Sequence, residues 1–165
     1  MKYSLSITEW HEMALSGTPV STRTLIHGIS MFPSIRMDRD YVTIMPVLDG
    51  VEVGDIVLFD DPYQDRFVLH RVWRVDGDRV LTWGDNCKNP DREIPIDAVY
   101  GRVVLIERGK MKIHPDRKRG LALARFWHVF GRGYRFARRA VRYLKRRLMR
   151  SGKQPDEQQE RQSDV

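Results

Sequence analysis

The sequence predicts a mainly β fold: one antiparallel β body, with a short N-terminal helix and a basic, amphipathic helical extension at the C-terminus. Three observations carry that expectation. Runs rich in β-branched and aromatic residues, separated by Gly, Pro and Asp, recur from Val20 to Arg108. Apolar residues then return at helical spacing from Leu123 to Leu148. Charge changes near the same boundary: residues 1–116 hold 14 basic and 18 acidic groups, 117–150 hold 13 basic and no acidic ones, and 151–165 hold 2 and 4. With 165 residues, 41% of them hydrophobic, the chain is long enough for one domain with its own core.

The first element is expected within residues 1–17, where "SITEWHEMALSG" reads as a helix. Ser6 can cap it with Glu9 three residues on, and Gly17 ends it. Residues 18–116 form the β domain. Its strands are expected at 20–27, 41–47, 55–60, 66–75, 79–84 and 98–108, and Asp76-Gly77 reads as a tight hairpin turn between the fourth and fifth. Residues 117–150 form the cationic helical segment, expected to break in two at Gly131 and Gly133. The tail, 151–165, is too polar to bury a core face and is expected to be disordered.

Several classes of function are disfavoured by composition. With Cys87 as the single cysteine, no intramolecular disulfide or multi-cysteine zinc site can form, and no metal or cofactor is expected. No stretch approaches the length of apolar sequence that a spanning helix needs, and the N-terminus lacks the pattern of an export signal. The expected location is the cytoplasmic side, with any membrane contact peripheral.

The stretch "HGISMFPSI" sets the chemical question, because Ser30 is either a turn residue or a nucleophile. A serine hydroxyl needs a neighbouring base to take its proton. No lysine occurs between Lys2 and Lys88, so a base inside the β body is more readily a histidine, His27 or His70. In "FVLHRVW", alternation places His70 with Val68 and Val72 and opposite Phe67, Leu69 and Trp73, on a rigid mount. Taken singly, a turn serine and a half-buried strand histidine are ordinary structural residues. The order of the surrounding elements changes that reading.

"GISMFPSI" is followed by "DRDYVTIMP", "VEVGDIVLFDDP", "FVLHRV", "LTWGDNCKNPD" and "VYGRVVLIE". Each box alone is weak; their order resembles the type I signal peptidase family over residues 18–108. The resemblance implies a serine endopeptidase acting on a precursor or leader peptide, with Ser30 as nucleophile. It also implies His70 as base, as in the branch typified by archaeal and endoplasmic-reticulum enzymes, and an acidic third member. Asp91 is the favoured acid and Asp85 the alternative. The Ser30 backbone N–H is the expected oxyanion donor. Gly28 stands where many relatives carry a second serine, and Met31 adjoins the expected substrate surface together with Phe32, Ile35 and Phe59, each of which also reads as core. Arg39 departs from the glycine that usually precedes the aspartate of the second box. Cys87, beside Lys88 in a polar loop, shows no source of activation in the sequence.

The family usually carries a spanning helix ahead of the serine, and none is expected from the residues before Ser30. The C-terminal stripe instead runs Leu123, Phe126, Trp127, Phe130, Tyr134, Ala137, Val141, Leu144 and Leu148, with Arg135, Arg138 and Arg142 among the residues of the other face. Such a pattern fits an anionic membrane surface. Phe126, Trp127, Phe130, Arg135, Arg138 and Arg142 are the expected membrane-facing residues. Packing of the stripe on the β body ranks second, and nucleic-acid phosphates third. The rival function is a catalytically inactive β module whose cationic helix binds anionic membrane or nucleic acid.

Overall fold

In a computed structural model of the chain, the residues described are 9–10, 12–13, 16, 21–61, 66–131 and 133. The chain divides into two compact units, Met1–Val129 and Phe130–Val165. The first contains the β body, eight strands joined antiparallel: β1 (Thr22–Leu25), β2 (Asp40–Pro46), β3 (Ile56–Asp61), β4 (Arg66–Asp76), β5 (Arg79–Trp83), β6 (Ile94–Pro95), β7 (Val99–Arg108) and β8 (Met111–Ile113). Their spatial order is β1-β2-β7-β3-β4-β5-β6, with β8 also paired to β7. The antiparallel β class is therefore observed, and the six expected strands fall within three residues of their expected ends. The two very short ones, β6 and β8, carry too little periodicity to be read from sequence.

Strand β3 organises the core because both its faces are buried. Ile56 and Leu58 join Met31, Ile35, Val42, Ile44, Val103 and Ile106 in one apolar cluster. Val57 and Phe59 join Val51, Val68, Val72, Val80, Ile94 and Val99 in the other. A strand enclosed in this way reads as a continuous apolar run, which "DIVLF" is. Its neighbour β4 pairs Val57 with His70 and Ile56 with Arg71. Successive strand residues point to opposite faces, so His70 shares the second cluster's face with Val68 and Val72, and Arg71 faces the first. The β4–β5 hairpin closes on Gly77, at φ 56°, and Asp78, with Asp76 opposite Arg79.

The expected N-terminal helix lies largely outside the described residues. Glu9, Trp10, Glu12 and Met13 have helical backbone, and Trp10 is buried in the first cluster. A helix, α1, begins at 117 and is described to 131. Asp116 caps it, its Oδ1 accepting the Arg119 N–H at 2.7 Å. Arg117 roots it on the β body through Asp55 at 2.6 Å and Glu52 at 2.8 Å. Gly120 lets it approach closely, since a Cβ there would lie 2.6 Å from Arg71 Nη1. Of the second unit, Phe130, Gly131 and Gly133 are described, all with helical backbone. The break expected at the two glycines is therefore not found at those residues; glycine costs a helix about 1 kcal/mol relative to alanine without forbidding it. Among the described residues, no helix is long and apolar enough to cross a membrane. Arg135, Arg138, Arg142 and the tail lie outside the described residues.

Candidate active site

Two segments converge on the middle of β4: the turn at 28–35, and the loop that leaves β5 at Gly84 and runs to Asp91. The loop carries most of the polar chemistry. Asp85 turns to Arg71, with Arg71 Nε and Nη2 donating to its two carboxylate oxygens at 2.9 and 2.8 Å. Both side chains are fully buried, and Arg71 Nη1 also donates to the Gly54 carbonyl at 2.9 Å. The Ser34 hydroxyl donates to Asp85 as well, which ties the serine-bearing turn to this pair. Asp85 is thus committed to Arg71 and Ser34.

Asp91 turns to His70. The imidazole Nδ1 and Asp91 Oδ2 are 2.6 Å apart, and the same oxygen accepts the Thr82 hydroxyl at 2.8 Å. Asp91 is also held by its main chain, its N–H donating to the Thr82 carbonyl at 2.9 Å. His70 is buried, its ring edge-on to Phe59 at 6.3 Å between centroids. Burial alone would push the imidazole toward its neutral form. The hydrogen bond that Nδ1 donates to Asp91, the contact with Cys87 and the charge of both outweigh it, raising the pKa from 6.5 to about 9.

The second nitrogen, Nε2, faces Cys87 Sγ at 3.9 Å. The sequence shows only polar turn residues around Cys87; the contact with the imidazole arises because the loop folds back over β4. Gly84 makes room for it. A Cβ at Gly84 would lie 2.7 Å from Cys87 Sγ and 2.8 Å from His70 Nε2, closer than atoms can pack.

Ser30 joins this group through its backbone. Its carbonyl accepts the Asn86 N–H at 2.6 Å, and the neighbouring Ile29 carbonyl accepts from Asn86 Nδ2 at 3.1 Å. Asn86 adjoins Cys87, so Ser30 is one hydrogen bond and one residue away from the thiol on His70. Among the described residues, no hydrogen bond joins the Ser30 hydroxyl to His70. Contacts of this kind are often long before substrate binds and tighten only in the reacting complex. Gly28, at φ 110°, opens the turn with open space where a side chain would stand.

Several expected surface residues are placed differently. Met31, Ile35 and Phe59 are almost fully buried, so their side chains belong to the core and not to an open substrate surface. Apolar packing of the turn against β3 and β7 draws Met31 and Ile35 inward. Phe32 stays partly exposed, edge-on to Trp127 at 5.4 Å. Trp127, expected on the membrane-facing stripe, turns instead toward the β body, where its Nε1 donates to Asn86 Oδ1 at 3.2 Å. Phe126 on the adjacent face is exposed, and Phe130 opens the second unit. The roles of Thr82, Asn86 and Trp127 had no signal in the sequence. Each depends on which strand or loop lies next to β4, a property of topology. Compared with protein-family models and with curated proteins, the chain matches neither a family model nor a curated relative.

Proposed function

We propose that this protein is a serine endopeptidase of the signal peptidase type, acting by acyl transfer on a precursor or leader peptide and held peripherally at an anionic membrane surface. The observation that carries the reading is the His70–Asp91 pair: a buried imidazole fixed at Nδ1 by a carboxylate 2.6 Å away, so that proton transfer falls to Nε2, the nitrogen that Cys87 Sγ faces at 3.9 Å. In that role Asp91 holds the tautomer and stabilises the imidazolium that forms. Ser30 Oγ attacks the peptide carbonyl while His70 Nε2 takes its proton and then delivers it to the leaving amine. Water, deprotonated by the same nitrogen, resolves the acyl ester. The Ser30 backbone N–H supports the developing oxyanion, its turn being held by the bond from Asn86. The order of the sequence boxes supplies the substrate class, and the 13 cationic residues without an acidic one between 117 and 150 supply the membrane contact.

A second reading is favoured by one contact, that of Cys87 Sγ with His70 Nε2: the nucleophile is the thiolate, and His70 and Asp91 keep their roles. A fluorophosphonate probe followed by peptide mapping separates the two. The serine reading expects adduct mass on the peptide containing Ser30, lost in Ser30→Ala and His70→Ala and retained in Cys87→Ser. Labelling that survives Ser30→Ala, or that disappears in Cys87→Ser with the fold intact, overturns it. Absence of labelling, together with an unchanged co-expressed precursor, returns the β body to a binding module.

A further inference from the structure

The C-terminal helix touches the Ser30 turn and the loop that follows β5. Trp127 packs edge-on against Phe32, two residues after Ser30, with ring centroids 5.4 Å apart. Its indole N–H donates to Asn86 Oδ1 at 3.2 Å. The next residue, His128, lies against Trp83 at 4.0 Å and Trp73 at 5.2 Å, and Trp83 Nε1 donates to the Cys87 carbonyl at 3.2 Å. Consecutive helix residues thus bear on the two ends of the loop segment that carries Asn86 and Cys87.

The bond from Trp127 has a directional consequence. A side-chain amide offers a carbonyl oxygen at one end and an NH2 at the other, while an indole N–H can only donate. An indole at the Asn86 amide therefore fixes which end faces it. Oδ1 must point to Trp127, which directs Nδ2 to the Ile29 carbonyl at 3.1 Å. The Asn86 main-chain N–H holds the Ser30 carbonyl at 2.6 Å. Rotation of the amide would bring NH2 against N–H and leave the Ile29 carbonyl facing an oxygen. The helix is fixed firmly enough to act this way, since Arg117 anchors its start on Asp55 and Ala124 is fully buried one turn before Trp127.

We propose that Trp127 is a positioning residue for Ser30: by orienting the Asn86 amide, the C-terminal helix sets the turn that presents the nucleophile. This rests on the reading of Ser30 as the nucleophile, and it makes the extension part of the catalytic apparatus as well as a membrane contact. The experiment uses the full chain and a double-mutant cycle of Trp127→Phe, which keeps a ring against Phe32 and removes the N–H, with Asn86→Ala. The readout is the second-order rate of fluorophosphonate labelling at Ser30. Trp127→Phe is expected to slow labelling about tenfold, the size of one lost hydrogen bond, with the melting temperature lowered by no more than about 6 °C. In the Asn86→Ala background the same substitution is expected to add nothing, because the amide it acts through is gone.

Hydrogen exchange gives a readout that needs no activity. Trp127→Phe should speed exchange of the Asn86 N–H bonded to Ser30 and leave that of the Val72 N–H, bonded to the Asp55 carbonyl at 2.8 Å, unchanged. Wild-type labelling and exchange in Trp127→Phe, or equal losses from Trp127→Phe in both backgrounds, overturn the positioning role. Wild-type labelling that is independent of Ser30 overturns the underlying reading instead, and the exchange comparison then reports on the contact alone.

Discussion

His70 is buried yet favours its charged form, and that combination fixes how it should respond to pH. Burial works against the imidazolium, but Asp91 and Cys87 hold its pKa at about 9. A general base must be neutral, so activity is expected to rise with pH and level off above about 9 in a rate profile taken from pH 6 to 10. Asp91→Asn removes the charge that raises the pKa; its profile should rise at lower pH, while the plateau falls by roughly three to four orders of magnitude as the tautomer is lost. The stability linkage has the opposite trend. A pKa raised from 6.5 to about 9 means the folded state holds this proton more tightly than the unfolded state, so the stabilisation is complete below 6.5 and lost as pH rises through 9. Melting temperatures measured across that window should fall further for wild type than for His70→Gln. The two aspartates of the loop also separate cleanly. Asp85→Ala leaves Arg71 buried without its carboxylate, at a cost of about 3–5 kcal/mol, and is expected to show as a large loss in denaturant midpoint. Asp91→Ala should lose stability mainly below about pH 9, where His70 holds its proton, and little above it, while activity falls throughout. Similar stability losses from the two above about pH 9 would contradict this division of labour.

Between residues 84 and 91 the chain crosses from one face of β4 to the other, so a single loop serves both Arg71 and His70. Its closeness to β4 depends on Gly84. Gly84→Ala would place a methyl group 2.7 Å from Cys87 Sγ and 2.8 Å from His70 Nε2. The imidazole or the thiol must move, at a cost of about 1–3 kcal/mol, and the imidazole resonances should shift by NMR while labelling at Ser30 falls at least tenfold. Gly77→Ala gives a contrast: its φ is 56°, but no neighbour lies within contact range, so it should cost about 1–2 kcal/mol of stability without touching the site. At this scale the sequence is legible in part. Strong alternation and the Asp-Gly turn made β4 and its hairpin readable, and apolar continuity did the same for β3. What the pattern could not show is which loop residues meet His70. Asp85 and Asp91 are equally polar members of one loop, and their separation follows from Arg71 and His70 pointing to opposite faces. The contact of Cys87 is illegible in the sequence for the same reason: its neighbours in sequence are polar turn residues, whereas its neighbour in space is an imidazole.

On the scale of the whole molecule, the helix that starts at 117 divides its apolar residues between two uses. Ala124 and Trp127 face the β body, whereas Leu123, Phe126 and Val129 are exposed on a segment that also carries Arg119 and Arg125. Packing on the body and contact with a membrane are therefore compatible along one helix, because different residues serve each. Charge supplies the larger share of any attraction to the surface: Arg135, Arg138 and Arg142 lie in a stretch with no acidic residue to offset them. Each basic side chain near an anionic bilayer contributes about 1 kcal/mol. Replacing these three by glutamine in the full chain should weaken binding to vesicles containing phosphatidylserine by about 100-fold, read by co-flotation. Binding of wild type should fall steeply with added salt, as screening shortens the reach of the charges. Vesicles of neutral lipid should retain little of either protein. Phe126→Ser tests the apolar share, and because that side chain is exposed, it should reduce flotation while leaving fluorophosphonate labelling in solution at the wild-type rate. Flotation of the arginine variant equal to wild type would remove the membrane from the proposal and leave the helix with its contacts on the β body.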